Sequence, residues 1–108
     1  MILLRAIVDG DGFPIAVVEH GYRHLASYLE DEIAFGTGEH AQQVLAMIPK
    51  VRDGRVSQWE EFSGAHHITV RRTTVTLSCS YRANQPPIDM PLDEFQKSLE
   101  QWIAVVGR

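Results

Sequence analysis

His67-Ile68-Thr69-Val70-Arg71-Arg72-Thr73-Thr74-Val75-Thr76-Leu77-Ser78-Cys79-Ser80-Tyr81 is the stretch that decides how this chain folds. Ile68 and Val70 alternate with His67, Thr69 and Arg71. Beyond Arg72-Thr73, Val75, Leu77, Cys79 and Tyr81 alternate with Thr74, Thr76, Ser78 and Ser80. Successive side chains of a strand point to opposite faces, so a period of two marks a sheet with one buried and one wet face. The interruption at Arg72-Thr73 makes the whole segment, Ile68 to Tyr81, an antiparallel hairpin. Threonine and serine on the wet face suit a pleated backbone and offer no apolar surface to other chains.

Working outward, Leu3 to Val8 reads as a strand, Asp9-Gly10-Asp11-Gly12 as a turn, and Ile15 to Val18 as the returning strand, with Pro14 at its start. From Tyr22 the period changes. Tyr22, Leu25, Leu29 and Ile33 recur at the three- and four-residue spacing of one helix face. Gly36-Thr37-Gly38 breaks that helix, and Thr37 is placed to cap a second one, with Glu39 in its first turn. Ala41, Val44, Leu45 and Ile48 supply its apolar stripe. Pro49 is expected to end or kink it, and Asp53-Gly54 to close the segment. Strands are expected from Val56 onward, with a loop at Asn84-Gln85-Pro86-Pro87. Pro91 suits the first position of a last helix, followed by Asp93 and Glu94. Leu92, Phe95, Leu99, Trp102, Ile103 and Val106 form the cleanest helical stripe in the chain. These elements predict an α+β fold: one domain over 1–108, an antiparallel β-sheet with helices packed largely on one face, and a C-terminal amphipathic helix.

With 108 residues, 44% of them hydrophobic, the chain is of a size that buries about two-thirds of its unfolded surface. The lone Cys79 makes no internal disulfide, which suits a reducing compartment. The apolar start, Met1 to Val8, lacks a basic leader and a small-residue cleavage site and runs into a turn, so it reads as a strand and not a signal peptide. No apolar run approaches the roughly 20 residues of a membrane span. A soluble, cytoplasmic protein is expected. The net charge of −4 is unevenly spread. Residues 1–49 carry seven acidic and two basic side chains, and residues 50–108 carry seven and eight. An acidic half argues against nucleic acid, which needs clustered Lys and Arg, and suits a basic protein partner. It equally suits a solvated face that keeps the domain soluble.

Little is left over for chemistry. His20 and His24 have the i,i+4 spacing of two ligands on one helix face, with Glu19 or His40 as completing residues. Against this, the glutamate that follows the first histidine in zinc-protease motifs is missing, and Gly21 sits where a helix would be starting. His66 and His67 are neighbours on a strand, so they point apart. Cys79 shares the side of Val75 and Leu77, as a buried small hydrophobe does. Glu60-Glu61 and Glu30-Asp31-Glu32 are paired carboxylates without an adjacent base. No phosphate loop, nucleophile elbow or dinucleotide fingerprint occurs. No catalytic residue, metal or cofactor is therefore expected. Trp59, between Gln58 and Glu60-Glu61, reads as a core residue on a strand or as a protein-binding anchor on a loop. Tyr28, beside Glu30-Asp31-Glu32, poses the same choice.

The order of parts resembles a known family. Tyr28-Leu29-Glu30-Asp31-Glu32-Ile33 leads into a short helix; Gly54, Trp59, Gly64, an alternating hairpin and a helix opening Leu92-Asp93-Glu94-Phe95 follow. Over about residues 22–106 this is similar to the immunity proteins of contact-dependent growth inhibition systems, and also to small YacL-type proteins. The resemblance implies a protein that binds a cognate toxin domain one to one, often a tRNA nuclease, and blocks its active cleft. Such a partner is a basic protein, with no nucleic acid or membrane bound by the immunity protein itself. The family carries no fixed set of toxin-binding residues. From this chain's own composition the candidates are Glu30, Asp31, Glu32, Glu60 and Glu61, standing in for RNA phosphates, with Tyr28 and Trp59 as anchors. Two other classes fit the residues: a housekeeping or structural domain, and a small metal-dependent enzyme.

Overall fold

The computed structural model describes residues 2–33, 39–82 and 84–106, and among these the fold is α+β. Strand β1 (Leu3–Val8) and strand β2 (Pro14–Val18) form a separate two-stranded antiparallel sheet. Its turn is built by Asp9, whose Oδ1 accepts the N–H groups of Asp11 and Phe13, both at 2.9 Å. Helix α1 (Arg23–Tyr28) follows and widens into a π-helical turn over Leu29–Ile33. Helix α2 spans Glu39–Arg52. Strands β3 (Trp59–Ser63), β4 (His66–Val70), β5 (Thr74–Cys79) and β6 (Ile88–Pro91) make an antiparallel sheet in that order, and helix α3 (Leu92–Val106) closes the chain. Among the described residues, no helix is long and apolar enough to cross a membrane.

The predicted hairpin is β4–β5, with Ile68 opposite Leu77 and Val70 opposite Val75. Its inner residues Ile68, Val70, Val75 and Leu77 are fully enclosed, together with Phe95, Leu99 and Trp102 of α3. Helices α1 and α3 both reach the four-stranded sheet, and each also packs on the β1–β2 hairpin, so the helices form the middle of the molecule. Leu3 and Ala16 of the hairpin accordingly join the same core cluster as Leu77 and Trp102.

Several local expectations change. Helix α2 does not end at Pro49 but runs to Arg52, since proline forfeits only its own N–H bond and packing holds the remaining turns. It ends instead at Gly54, whose φ of +84° is the left-handed cap that glycine adopts without strain, with its N–H on the Val51 carbonyl. Strand β6 was not expected, and Pro91 is its last residue and not the first of the helix. The helix begins at Leu92, whose N–H donates to Thr73 O at 2.9 Å. Strand β5 stops at Cys79, where Ser80 N–H donates to Ala65 O and the chain turns through a 3₁₀ segment, Ser80–Arg82. Tyr81 therefore leaves the inner face and is 86% exposed. Thr69, expected on the wet face, is buried, with His67 Nε2 at 3.5 Å from its hydroxyl. The Thr37 cap falls outside the described residues.

Candidate functional site

With the helices on one side, the four-stranded sheet presents its other face outward, and strand parity decides what stands there. The register sets Glu60, Thr69, Thr76 and Asp89 in one row across all four strands, and Phe62, His67 and Ser78 in the next. Arg71 donates to Thr76 Oγ1 at 2.9 Å, and the Thr76 hydroxyl donates to Asp89 at 2.6 Å. Towards the rim, the Phe62 ring lies flat on the His67 ring, centroids 4.1 Å apart and planes 6° from parallel. His67 Nε2 is 3.5 Å from a carboxylate oxygen of Glu60. Phe62 remains 74% exposed, because the stack covers one face of its ring and leaves the other open.

Gly64 sets this register. It holds φ +56° in the two-residue turn that joins Ser63 to His66, and glycine adopts that conformation without strain. Beside the turn lies a shallow hollow of about 320 Å³, with Phe62, His67, Ser78 and Ser80 among its walls. A flat surface of hydroxyls, one stacked aromatic pair and scattered charges suits recognition by contact.

The residues singled out from sequence do not gather on this face. Tyr28 is fully buried, its ring edge-on to His66 at 5.9 Å and tilted against Phe95 at 6.3 Å. It is no surface anchor: α1 is enclosed by β2 on one side and β5 on the other, so the helix has little outward face there. Glu30 is half-buried and serves the fold, its Oε2 accepting the N–H of Ala16 at 2.8 Å while Oε1 lies 3.8 Å from Arg23. Asp31 is exposed; the side chain of Glu32 lies outside the described residues. Trp59 is half-buried and packs against the core, as expected of a strand residue with Glu60 pointing outward. Glu61 points inward from the same strand and meets His40 Nε2 at 2.7 Å. Of the candidates with described side chains, Glu60 alone stands on the open sheet face.

The histidine cluster disperses too. His24 is buried and donates through Nε2 to Pro86 O at 3.0 Å, while His20 precedes the helix and is exposed. His40 is held by Glu61. Among the described residues, no group of three or more His, Cys, Asp or Glu side chains is placed to hold a metal ion. Cys79 is buried on the inner face. Sequence reasoning missed Phe62 and His67. The signal was available for Phe62: it stands three residues from Trp59, so if one packs inward the other points out. No family model, no curated protein and no solved structure matches this chain.

Proposed function

We propose that this chain acts by binding another protein, and that it is an immunity protein which neutralises a cognate toxin domain by covering its active cleft. The observation that carries the binding role is Phe62, a large aromatic side chain 74% exposed beside the carboxylate of Glu60 on the uncovered face of a sheet. Exposed aromatics next to complementary charge are the composition of interface hot spots. The order of parts from Tyr28 to the α3 opening supports the immunity class, and the net charge of −4 suits a basic nuclease as partner.

The charge contribution is narrower than five carboxylates. Glu30 and Glu61 are engaged within the fold, which leaves Asp31 and Glu60 as exposed acids among the candidates with described side chains. The test is to mix the purified chain with the toxin domain encoded beside its gene and follow mass by light scattering and toxin activity on tRNA. A one-to-one complex with the toxin silenced is expected. Absence of a complex, or a complex in which the toxin still cuts, would overturn the reading.

A further inference from the structure

Strand β3 is the first strand of the sheet order, and among the described residues no strand pairs along its outer edge. Its outward residues, Glu60 and Phe62, are therefore open to approach both from above the sheet and from its side. Two residues apart on one face of a strand, they stand about 7 Å from each other. The ring offers one uncovered π-face, since His67 occupies the other at 4.1 Å. The stack also holds the ring flat and limits its rotation, so little freedom remains to be lost on binding. Beside it stands a carboxylate whose described partner is a histidine at 3.5 Å.

A planar cation fits these demands. A guanidinium stacks on an aromatic face and at the same time points its N–H groups in-plane at a carboxylate; an ammonium group, compact and strongly hydrated, does so less well. We infer that the Phe62–Glu60 rim is a receptor for an arginine side chain of the partner protein, with Phe62 as the stacking platform and Glu60 as the acceptor. The inference rests on the protein-binding role proposed above and assigns its contact point. Charge complementarity selects this occupant. A second copy of the chain, paired antiparallel through β3, is disfavoured because centring the strand on itself sets Glu61 opposite Glu61.

The probe is the peptide Gly-Arg-Gly-Arg-Gly with blocked ends, titrated into the isotopically labelled chain while backbone amide NMR shifts are followed. The lysine and glutamate versions of the peptide serve as controls. Shifts concentrated on residues 60–67 are expected, with the arginine peptide bound about two- to fivefold more tightly than the lysine one. Phe62→Leu, which keeps apolar area but removes the ring, should erase the preference for arginine. Glu60→Gln should weaken binding of both cationic peptides and flatten its salt dependence. The melting temperature of each variant checks that the fold is intact. Equal binding of the two cationic peptides, shifts centred elsewhere, or an unchanged preference in Phe62→Leu would overturn the assignment. If the arginine peptide binds as described but the toxin does not, the immunity reading alone fails. If the toxin binds and Phe62→Leu and Glu60→Gln change neither titration, this inference alone fails.

Discussion

The two faces of the four-stranded sheet are made from the same strands and do opposite work. On β5, Val75 and Leu77 are wholly enclosed, while their neighbours Thr74, Thr76 and Ser78 reach solvent. Inside, the cohesion comes from apolar area removed from water, each large side chain contributing about 1.5–3 kcal/mol. Outside, it comes from hydroxyl and charge contacts such as Arg71–Thr76–Asp89, which are exposed and worth little to stability because water competes for every partner. The outer face can therefore change its residues at small cost to the fold. A face with that freedom is where recognition can be placed, and Phe62 stands there.

The largest test of this contrast lies inside. Trp102 is fully buried on α3, so Trp102→Ala should destabilise the protein by about 3–5 kcal/mol through lost burial and the cavity left behind. Urea unfolding followed by circular dichroism measures it. A loss below about 1 kcal/mol would mean the inner layer is not the source of cohesion, and the contrast between faces would collapse.

A sharper test uses adjacent carboxylates of one strand. Glu61 faces inward and holds His40 at 2.7 Å with both side chains about three-quarters covered, whereas Glu60 faces outward. Glu61→Ala should cost about 1–2 kcal/mol, the value of a charge-assisted hydrogen bond whose partner is left behind. Glu60→Ala should stay within about 0.5 kcal/mol of the parent. The same unfolding experiment reads both, and equal losses would show that strand parity does not separate the two roles.

Strand parity was also what made most of the fold legible. The alternation from His67 to Cys79 and the stripe from Leu92 to Trp102 are local patterns, and each maps directly onto a buried face. What stayed hidden depends on distant contacts. Strand β6 has four residues and ends in proline, so its identity comes from pairing with β5 and not from its own composition. Tyr28 is buried because His66 of β4 and Phe95 of α3, both distant in sequence, pack against its ring. The candidate site was legible in part. Glu60 and Trp59 follow from parity, and Phe62 was within reach of the same rule. The Phe62–His67 stack was not, because it needs the register fixed by the two-residue turn at Gly64.

On the outer face itself, Phe62→Ala should shift stability by less than about 0.5 kcal/mol, since most of the ring is already in water. Thermal melts of parent and variant at matched concentration provide the check. A drop of several degrees would place Phe62 with the core residues in energetic terms, and would remove the freedom on which a recognition role depends.

The smallest expected effect belongs to an ion pair at the surface, Asp53 with Arg55, the limiting case of a charge contact in water. Asp53, in the connection between α2 and β3, accepts the Arg55 Nε–H at 2.9 Å and the Arg55 backbone N–H at 3.1 Å. These hydrogen bonds from Arg55, the side-chain bond foremost, hold its carboxyl below the usual carboxylate range. A group whose pKa is depressed by folding adds stability above its unfolded value, near pH 4, and gives it up as the pH falls through the depressed value. Asp53→Asn should therefore lie slightly below the parent at neutral pH, and the two should converge in acid once the parent's carboxyl is protonated. Urea unfolding from pH 2 to pH 7 at fixed low salt resolves the trend, since urea adds no screening ions. A gap that widens on acidification would carry the wrong sign for this linkage. A gap at neutral pH as large as that of Glu61→Ala would show that exposure does not discount a charge pair here, and the energetic distinction between the two faces would then rest on apolar burial alone.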